Sequence, residues 1–482
     1  MVDLRPVGYI IGWLVAWFGG LMAAPALVDL GDGDPNAGVF AAVLIVTVCL
    51  GVTIGLACAG GWRSDLSLRQ GFLLTCLAWV SFILFGAVPF ILGAPGLDPA
   101  QAIFEATSAL TTTGSTVIAG LHELPRGTLL WRMLLTWVGG IGIVLMALIL
   151  LPMLNIGGMQ ILKTGDFNTL GKAMPKAKQM ALACGAVYVV FTLLCAMGYL
   201  WGGMTGFDAL LHSMATIATG GMGNYDASFA EFSATSQYVG AVFMLLGAMS
   251  FIRFVQCARG EPRALFADSQ IRAFLAIYLA LCGGLVVARL LNGDQLGEPM
   301  LREILFNMAS VISTTGFAST DYTLWGPMAQ VLFFCAMMIC GCSGSTSGGP
   351  KVFRYQILFA GINAEIRRLH TRNIVVIPRY QGQVISNDVM SSVMAYFLFF
   401  FLTLGVGAVA LILIGLDPVT AISGAAATLA NVGPGLGPII GPAGNFSTLP
   451  DPAIWVMSFL MLVGRLELMA VYVLLIPSFW RT

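Results

Sequence analysis

Short polar segments carrying a glycine have few chemical uses in a strongly apolar chain, and this chain holds four of them. Thr111-Thr112-Thr113-Gly114, Ile217-Ala218-Thr219-Gly220, Ser313-Thr314-Thr315-Gly316 and Ala430-Asn431-Val432-Gly433 each close a short helix-like stretch. Their glycines lie 106, 96 and 117 positions apart, so a unit of roughly 100 residues occurs four times. Carbonyl and hydroxyl oxygens at such points can replace the water around a cation. The expectation is a cation filter built of Thr112, Thr113, Gly114, Ala218, Thr219, Gly220, Thr314, Thr315, Gly316, Asn431, Val432 and Gly433. The ion would be held chiefly at Thr112, Thr113, Thr219, Thr315 and Asn431.

The elements that must position these residues are membrane spans. With 58% hydrophobic and 10% charged residues among 482, the chain is far too apolar for a soluble domain. Runs of about 20 apolar residues, enough to cross roughly 30 Å of hydrocarbon, recur from end to end. They are Val7–Leu30, Ala37–Gly60, Gly71–Leu92, Leu129–Leu151, Met180–Leu200, Tyr238–Cys257, Phe274–Leu291, Met328–Cys340, Val393–Gly415 and Ile454–Pro477. Asp3 and the length of the first run argue against a cleaved signal peptide. In each repeat a short stretch lies between two long spans, too short to cross and so expected to enter and return. Asp98-Pro99 and Asp417-Pro418 mark two starts, each 16 residues before its glycine; Asp208 stands nearest that place in the second repeat. A short helix that points its C-terminus at mid-membrane presents about half a negative charge there.

Charge sets the orientation. Lys and Arg gather on alternate loops: Arg63 and Arg69; Lys163, Lys172, Lys176 and Lys178; Arg253, Arg259, Arg263 and Arg272; Lys351, Arg354, Arg367, Arg368, Arg372 and Arg379. The intervening loops are acidic. The positive-inside rule puts the basic loops and both termini in the cytoplasm, with four repeats entering from one side as parallel copies. The ten cysteines fall in or beside apolar runs and show no metal spacing. No Walker segment, no dinucleotide fingerprint and no His/carboxylate cluster supports an enzyme, a cofactor or a nucleic-acid partner.

Two further features stand out. Gly341-Cys342-Ser343-Gly344-Ser345-Thr346-Ser347-Gly348-Gly349-Pro350 interrupts the second span of the third repeat and cannot stay helical. Such backbone is tolerated at membrane depth only if buried in protein or lining water. Arg465 lies inside an apolar run, with Glu467 two residues on. Residues two apart on a helix do not face each other. Arg465 is therefore expected to aim at the axis or at loop carbonyls, and Glu467 to find its donor on another helix.

With Asn431-Val432-Gly433-Pro434-Gly435-Leu436-Gly437 and Gly464-Arg465-Leu466-Glu467, the four segments resemble the Trk/Ktr/HKT superfamily of potassium uptake proteins. The two extra N-terminal spans make the chain similar to the TrkH branch. The resemblance covers essentially the whole sequence. It implies an all-α polytopic protein with four parallel helix–pore-loop–helix repeats around a pseudo-fourfold pore, at 67–165, 166–262, 263–380 and 381–482, after peripheral helices in 1–66. It further implies K⁺ translocation across the bacterial inner membrane by a homodimer carrying a cytosolic TrkA-type nucleotide-binding subunit. Gly341, Cys342, Ser343, Gly344, Ser345, Thr346, Ser347, Gly348 and Gly349 with Arg465 would be the gate. Relatives with serine at the first filter glycine favour Na⁺, so Gly114 points to K⁺. K⁺ is cargo and no cofactor is expected. An H⁺- or Na⁺-coupled symporter is the alternative, although Glu105 and His212 in the short helices are among the few titratable groups at membrane depth.

Overall fold

The structure, a computed structural model, describes residues 3–61, 66–147, 158–159, 174–371 and 374–480, with 174–178 described by backbone alone. Arg63, Lys163, Lys172 and Arg372 lie outside the described residues. The described chain is mainly helical, and its strands among the described residues form one short antiparallel hairpin pairing Arg379 with Val384 and Tyr380 with Gln383. Among the described residues seven helices are long and apolar enough to cross a membrane, nine if two sharply bent pairs count as one span each.

Helices Arg5–Leu21, Ala23–Asp32 and Asn36–Ala57 precede four sets of span, short helix and second span. The long first spans are Leu68–Leu92, Met174–Trp201, Ser269–Leu291 and Asn387–Ile414. The short helices are Pro99–Leu110, Gly206–Ile217, Glu298–Ile312 and Pro418–Leu429. At about 1.5 Å per residue, 12 residues reach only about 18 Å, roughly half the membrane. The second spans approach them through glycines. A Cβ at Gly139 would fall 1.8 Å from Leu110 O, and one at Gly464 1.9 Å from Leu429 O, so no side chain fits between.

Two second spans, those of the second and fourth repeats, differ from the continuous helices that their apolar runs suggest, and that of the third is interrupted at the glycine-rich loop. In the second repeat Ala234–Gly247 turns by 95° into Phe251–Ala258. In the fourth, Asp451–Arg465 turns by 109° into Leu468–Leu475, with Glu467 at φ +62°. In the third, Pro327–Ile339 stops at Cys340 and helix resumes only at Val352. Arg465 thus ends a helix at a break instead of lying mid-span. Opening the helix frees carbonyls such as those of Gly247 and Ala248, and each must find another donor.

Three of the four short helices start after a small polar residue, two of which accept a cap hydrogen bond, and the third repeat's starts after Gly297. Asp417 Oδ2 accepts the Thr420 N–H at 3.0 Å, and Asp98 occupies the same place before Pro99. In the second repeat the cap is Thr205, whose Oγ1 accepts the Asp208 N–H at 3.2 Å. Asp208 is therefore the third helical residue and not the cap. Its carboxylate instead accepts from Asn224 Nδ2 at 2.8 Å and from the Tyr225 hydroxyl at 3.2 Å.

Candidate functional site

All four short helices end in the same backbone turn. The C-caps are Thr111, Ala218, Ser313 and Ala430. The next residues, Thr112, Thr219, Thr314 and Asn431, are left-handed at φ +54°, +49°, +60° and +55°. The N–H groups of Thr113, Gly220, Thr315 and Val432 then reach back five residues, to Ser108, Ala215, Ser310 and Ala427 O, at 2.8–2.9 Å. This is the Schellman arrangement, usually built on glycine. Threonine in it three times is an outlier that costs about 1–3 kcal/mol each and persists only where the surroundings impose it.

The turn also fixes the register. Left-handed glycines follow at Gly114, Gly221, Gly316 and Gly433, with φ +91°, +63°, +94° and +105°. The second repeat is thus displaced by one from its sequence reading. Gly221, not Gly220, is the structural counterpart of Gly114, and Ala218 stands with Thr111 as a helix C-cap. Thr219-Gly220-Gly221 offers two adjacent glycines, and side-chain identity alone does not choose between them. With Gly221 as reference, the cap Thr205 falls 16 residues before it, as Asp98 and Asp417 do before theirs.

These glycines close a ring. A Cβ on Gly114 would fall 2.8 Å from Gly220 O, on Gly221 2.0 Å from Thr315 O, on Gly316 2.3 Å from Val432 O, and on Gly433 2.6 Å from Thr113 O. Each glycine therefore abuts the carbonyl of the next repeat, in cyclic order, and the fourth returns to the first. Several hydroxyls are occupied elsewhere: Thr113 with Thr111 at 2.7 Å and with Asn431 Nδ2 at 3.0 Å, Thr315 with Ser313 at 2.6 Å. Thr112 Oγ1 and Asn431 Oδ1 are buried and have no hydrogen-bond partner among the described residues. Carbonyls, two such oxygens and the negative helix ends are groups that can replace the water around a monovalent cation. The ring floors a cavity of about 180 Å³ lined also by Ser115, Met222 and Asp226.

On the other side of the ring lies the interrupted span of the third repeat. Thr346 Oγ1 sits 3.0 Å from both Ile217 O and Gly247 O and accepts from Thr219 Oγ1 at 3.1 Å. Ser347 Oγ is 3.2 Å from Thr314 Oγ1, which also accepts the Gly348 N–H at 2.7 Å. The loop is thus tied to two of the left-handed residues of the ring. The break in the second repeat receives it: Cys342 N–H donates to Ala248 O at 2.8 Å, and Phe251 N–H to Gly344 O at 3.0 Å. Ser343 N–H donates to Gln270 Oε1 at 2.9 Å, and Gly341 N–H to Ser347 Oγ at 3.1 Å. Residues 340–350 are buried throughout.

Arg465, 2% exposed, donates from Nη2 to Thr346 O at 2.9 Å. Its Nε and Nη1 are buried without a hydrogen-bond partner among the described residues. Glu467 pairs with Arg354 at 2.6 Å, on the helix that follows the loop, and the Arg354 guanidinium stacks 3.7 Å over the Tyr396 ring. Lys351 Nζ donates to Ser347 O. Lys351 and Arg354, counted in the sequence with the loop cations, are both buried, because the loop brings the start of Val352–His370 into the protein. Three buried cationic groups thus lie in this region with one buried carboxylate, which pairs with Arg354.

The comparisons with known proteins meet this geometry. The family of TrkH cation transport proteins matches residues 37–481. The chain belongs to that family. It is 42% identical to the Trk system potassium uptake protein TrkI of Halomonas elongata, over 97% of this chain and 95% of that protein. It is 33% identical to the Trk system potassium uptake protein TrkH of Escherichia coli (strain K12), over 100% of both. The crystal structure of the potassium transporter TrkH from Vibrio parahaemolyticus matches with a TM-score of 0.91 at 33% identity, covering 100% of each chain. This TrkH-family chain is accordingly an all-α, multi-span membrane protein of a transporter family.

Proposed function

We propose that this TrkH-family protein carries K⁺ across the bacterial plasma membrane through a channel-like path whose filter is the ring at Gly114, Gly221, Gly316 and Gly433. The observation that carries the reading is the cyclic contact of each glycine with the next repeat's carbonyl. One glycine per repeat offers fewer ordered oxygens than a long carbonyl-lined filter, so discrimination between K⁺ and Na⁺ should be moderate. The loop 341–349 is the gate, since it stands against the ring and is held by hydrogen bonds that can exchange, among them those from Arg465 and Lys351. Arg465 adds a positive barrier beside it. The family resemblance supports a homodimer with both termini in the cytoplasm. It also supports a cytosolic TrkA-type nucleotide-binding subunit that moves the gate, with the exposed Arg367 and Arg368 on its side.

Purified protein in liposomes tests this reading by K⁺ flux with and without imposed H⁺ and Na⁺ gradients. Flux that follows the K⁺ gradient alone supports the channel. Flux that requires either ion gradient replaces it with symport, and absence of K⁺ flux overturns the reading.

A further inference from the structure

With Gly221 as the second reference, one position recurs behind the ring. Nine residues before the four glycines stand Glu105, His212, Asn307 and Gly424. Three residues after the glycines stand Val117, Asn224, Ser319 and Leu436. Val117 N–H donates to Glu105 Oε2 at 3.0 Å, Asn224 N–H to His212 Nε2 at 3.4 Å, and Ser319 N–H to Asn307 Oδ1 at 3.1 Å. In the fourth repeat, where Gly424 has no side chain, the neighbouring Ser423 Oγ takes the Leu436 N–H at 2.9 Å. Glu105, His212 and Asn307 are fully buried and Ser423 is 3% exposed. Four chemically different side chains thus make one bond, from the short helix to the irregular length of chain, a rising strand only in the loose sense, that follows each glycine.

Each side chain is itself anchored. His212 Nδ1 lies 2.9 Å from Asp208 O, which assigns its proton there and leaves Nε2 to accept. Asn307 Nδ2 donates to Glu303 O at 2.8 Å. Glu105 pairs with Arg132 at 2.8 Å, and Arg132 Nη1 donates to Gly223 O of the next repeat at 2.8 Å. The rising strand therefore has its distance from the helix set at one point, three residues beyond the glycine. A buried amide without that acceptor would have to move to find another.

We propose that these four side chains are positioning residues for ion selection: by holding the rising strand, they fix how far the ring carbonyls stand from the ion. The inference rests on the filter reading above. It goes beyond it by assigning selectivity to residues that do not touch the ion. Cavity dimensions and carbonyl field both enter selection, and both change when a strand shifts.

The test compares His212→Leu, which removes the acceptor, with His212→Gln, which restores one near the Nε2 position. Reversal potentials of reconstituted protein in K⁺/Na⁺ gradients are read beside thermal stability. The Leu variant should lower the K⁺/Na⁺ permeability ratio by about fivefold, the factor for one neutral hydrogen bond of about 1 kcal/mol. The Gln variant should recover most of it. If His212→Leu does not fold, Asn307→Leu reads the same bond in the third repeat. Selectivity unchanged in the Leu variants, while Gly114→Ser changes it, overturns the positioning role and leaves the filter standing. Selectivity unchanged in Gly114→Ser as well overturns the filter and this inference with it.

Discussion

The ring and the layer beneath it are built on opposite plans. At the ring, four repeats with different residues reach one backbone geometry: Thr, Thr, Thr and Asn all turn left-handed, and four glycines accept a neighbour's carbonyl at the same place. One layer lower the repeats diverge. The third contributes a loop, the second and fourth break at unlike angles, and an ion pair joins Arg354 of the third repeat to Glu467 of the fourth. A spherical ion is served by equivalent oxygens from every side, so similarity is required where it is held. An obstruction needs only one movable piece, and unequal contacts let it move without disturbing the other repeats.

The largest effect expected from this contrast is on stability, and it lies in the lower layer. Arg354 is the partner of Glu467, so Arg354→Ala leaves a buried carboxylate unpaired and should destabilise the fold by about 3–5 kcal/mol. Arg465 has no carboxylate within ion-pair distance among the described residues, so Arg465→Ala removes a charge and one bond to Thr346 O. Its loss should not exceed about 1.5–3 kcal/mol, and basal K⁺ flux should rise. Thermal unfolding and flux on the same preparations separate the two. Equal destabilisation of both variants, or an Arg465→Ala protein with no gain in flux, contradicts the division of labour between the arginines.

Much of this organisation is readable from the residues because apolar runs and glycine segments are local signals. Asp98-Pro99 and Asp417-Pro418 mark helix starts by side-chain chemistry alone. The break after Gly247 is not marked in that way: no proline interrupts Gly247-Ala248-Met249-Ser250, and the freed carbonyls are satisfied by a loop about 95 residues later in the chain. The burial of Lys351, Arg354 and Arg132 is also tertiary, since charge counting treats every cation between spans alike and passed over Arg132 within one. The separation of Glu467 from Arg465 follows from helix geometry alone, but its partner Arg354 does not. The row Glu105, His212, Asn307 was hidden by a one-residue misregister. Counting from Gly221 would have exposed it, because all three then fall nine before their glycines.

That register can be broken deliberately, and this effect should be intermediate in size. In Gly221→Ala the new Cβ meets Thr315 O, a ring carbonyl, at 2.0 Å on a left-handed backbone. An alanine there costs about 1–2 kcal/mol in backbone alone, so the K⁺/Na⁺ permeability ratio should fall by about tenfold or more once the carbonyl is displaced. In Gly220→Ala the new Cβ meets instead Thr136 Cγ2, a side-chain methyl, at 2.1 Å. Adding Thr136→Ser removes that methyl and should recover function in Gly220→Ala, not in Gly221→Ala. Rescue of both variants, or of neither, would make Gly220 and not Gly221 the counterpart of Gly114.

The smallest change tests whether the two layers are separable. Thr346→Val keeps the shape of the loop residue but deletes the hydroxyl shared among Ile217 O, Gly247 O and Thr219 Oγ1. One neutral hydrogen bond of about 1 kcal/mol is at stake, so the closed arrangement should lose about fivefold in population relative to the open one. Basal K⁺ flux in liposomes should rise by about that factor. The ring keeps its own bonds in this variant, because the single Thr219 hydroxyl proton is left to Ala218 O at 2.8 Å and the Schellman turns do not involve the loop. The K⁺/Na⁺ permeability ratio should therefore stay within about twofold, well under the factor assigned to one hydrogen bond. Raised flux at constant selectivity is the signature of a gate that leans on the filter without belonging to it. A shift in selectivity equal to the shift in flux would mean that loop and ring act as one unit, and the contrast between symmetric ring and asymmetric layer would lose its functional meaning.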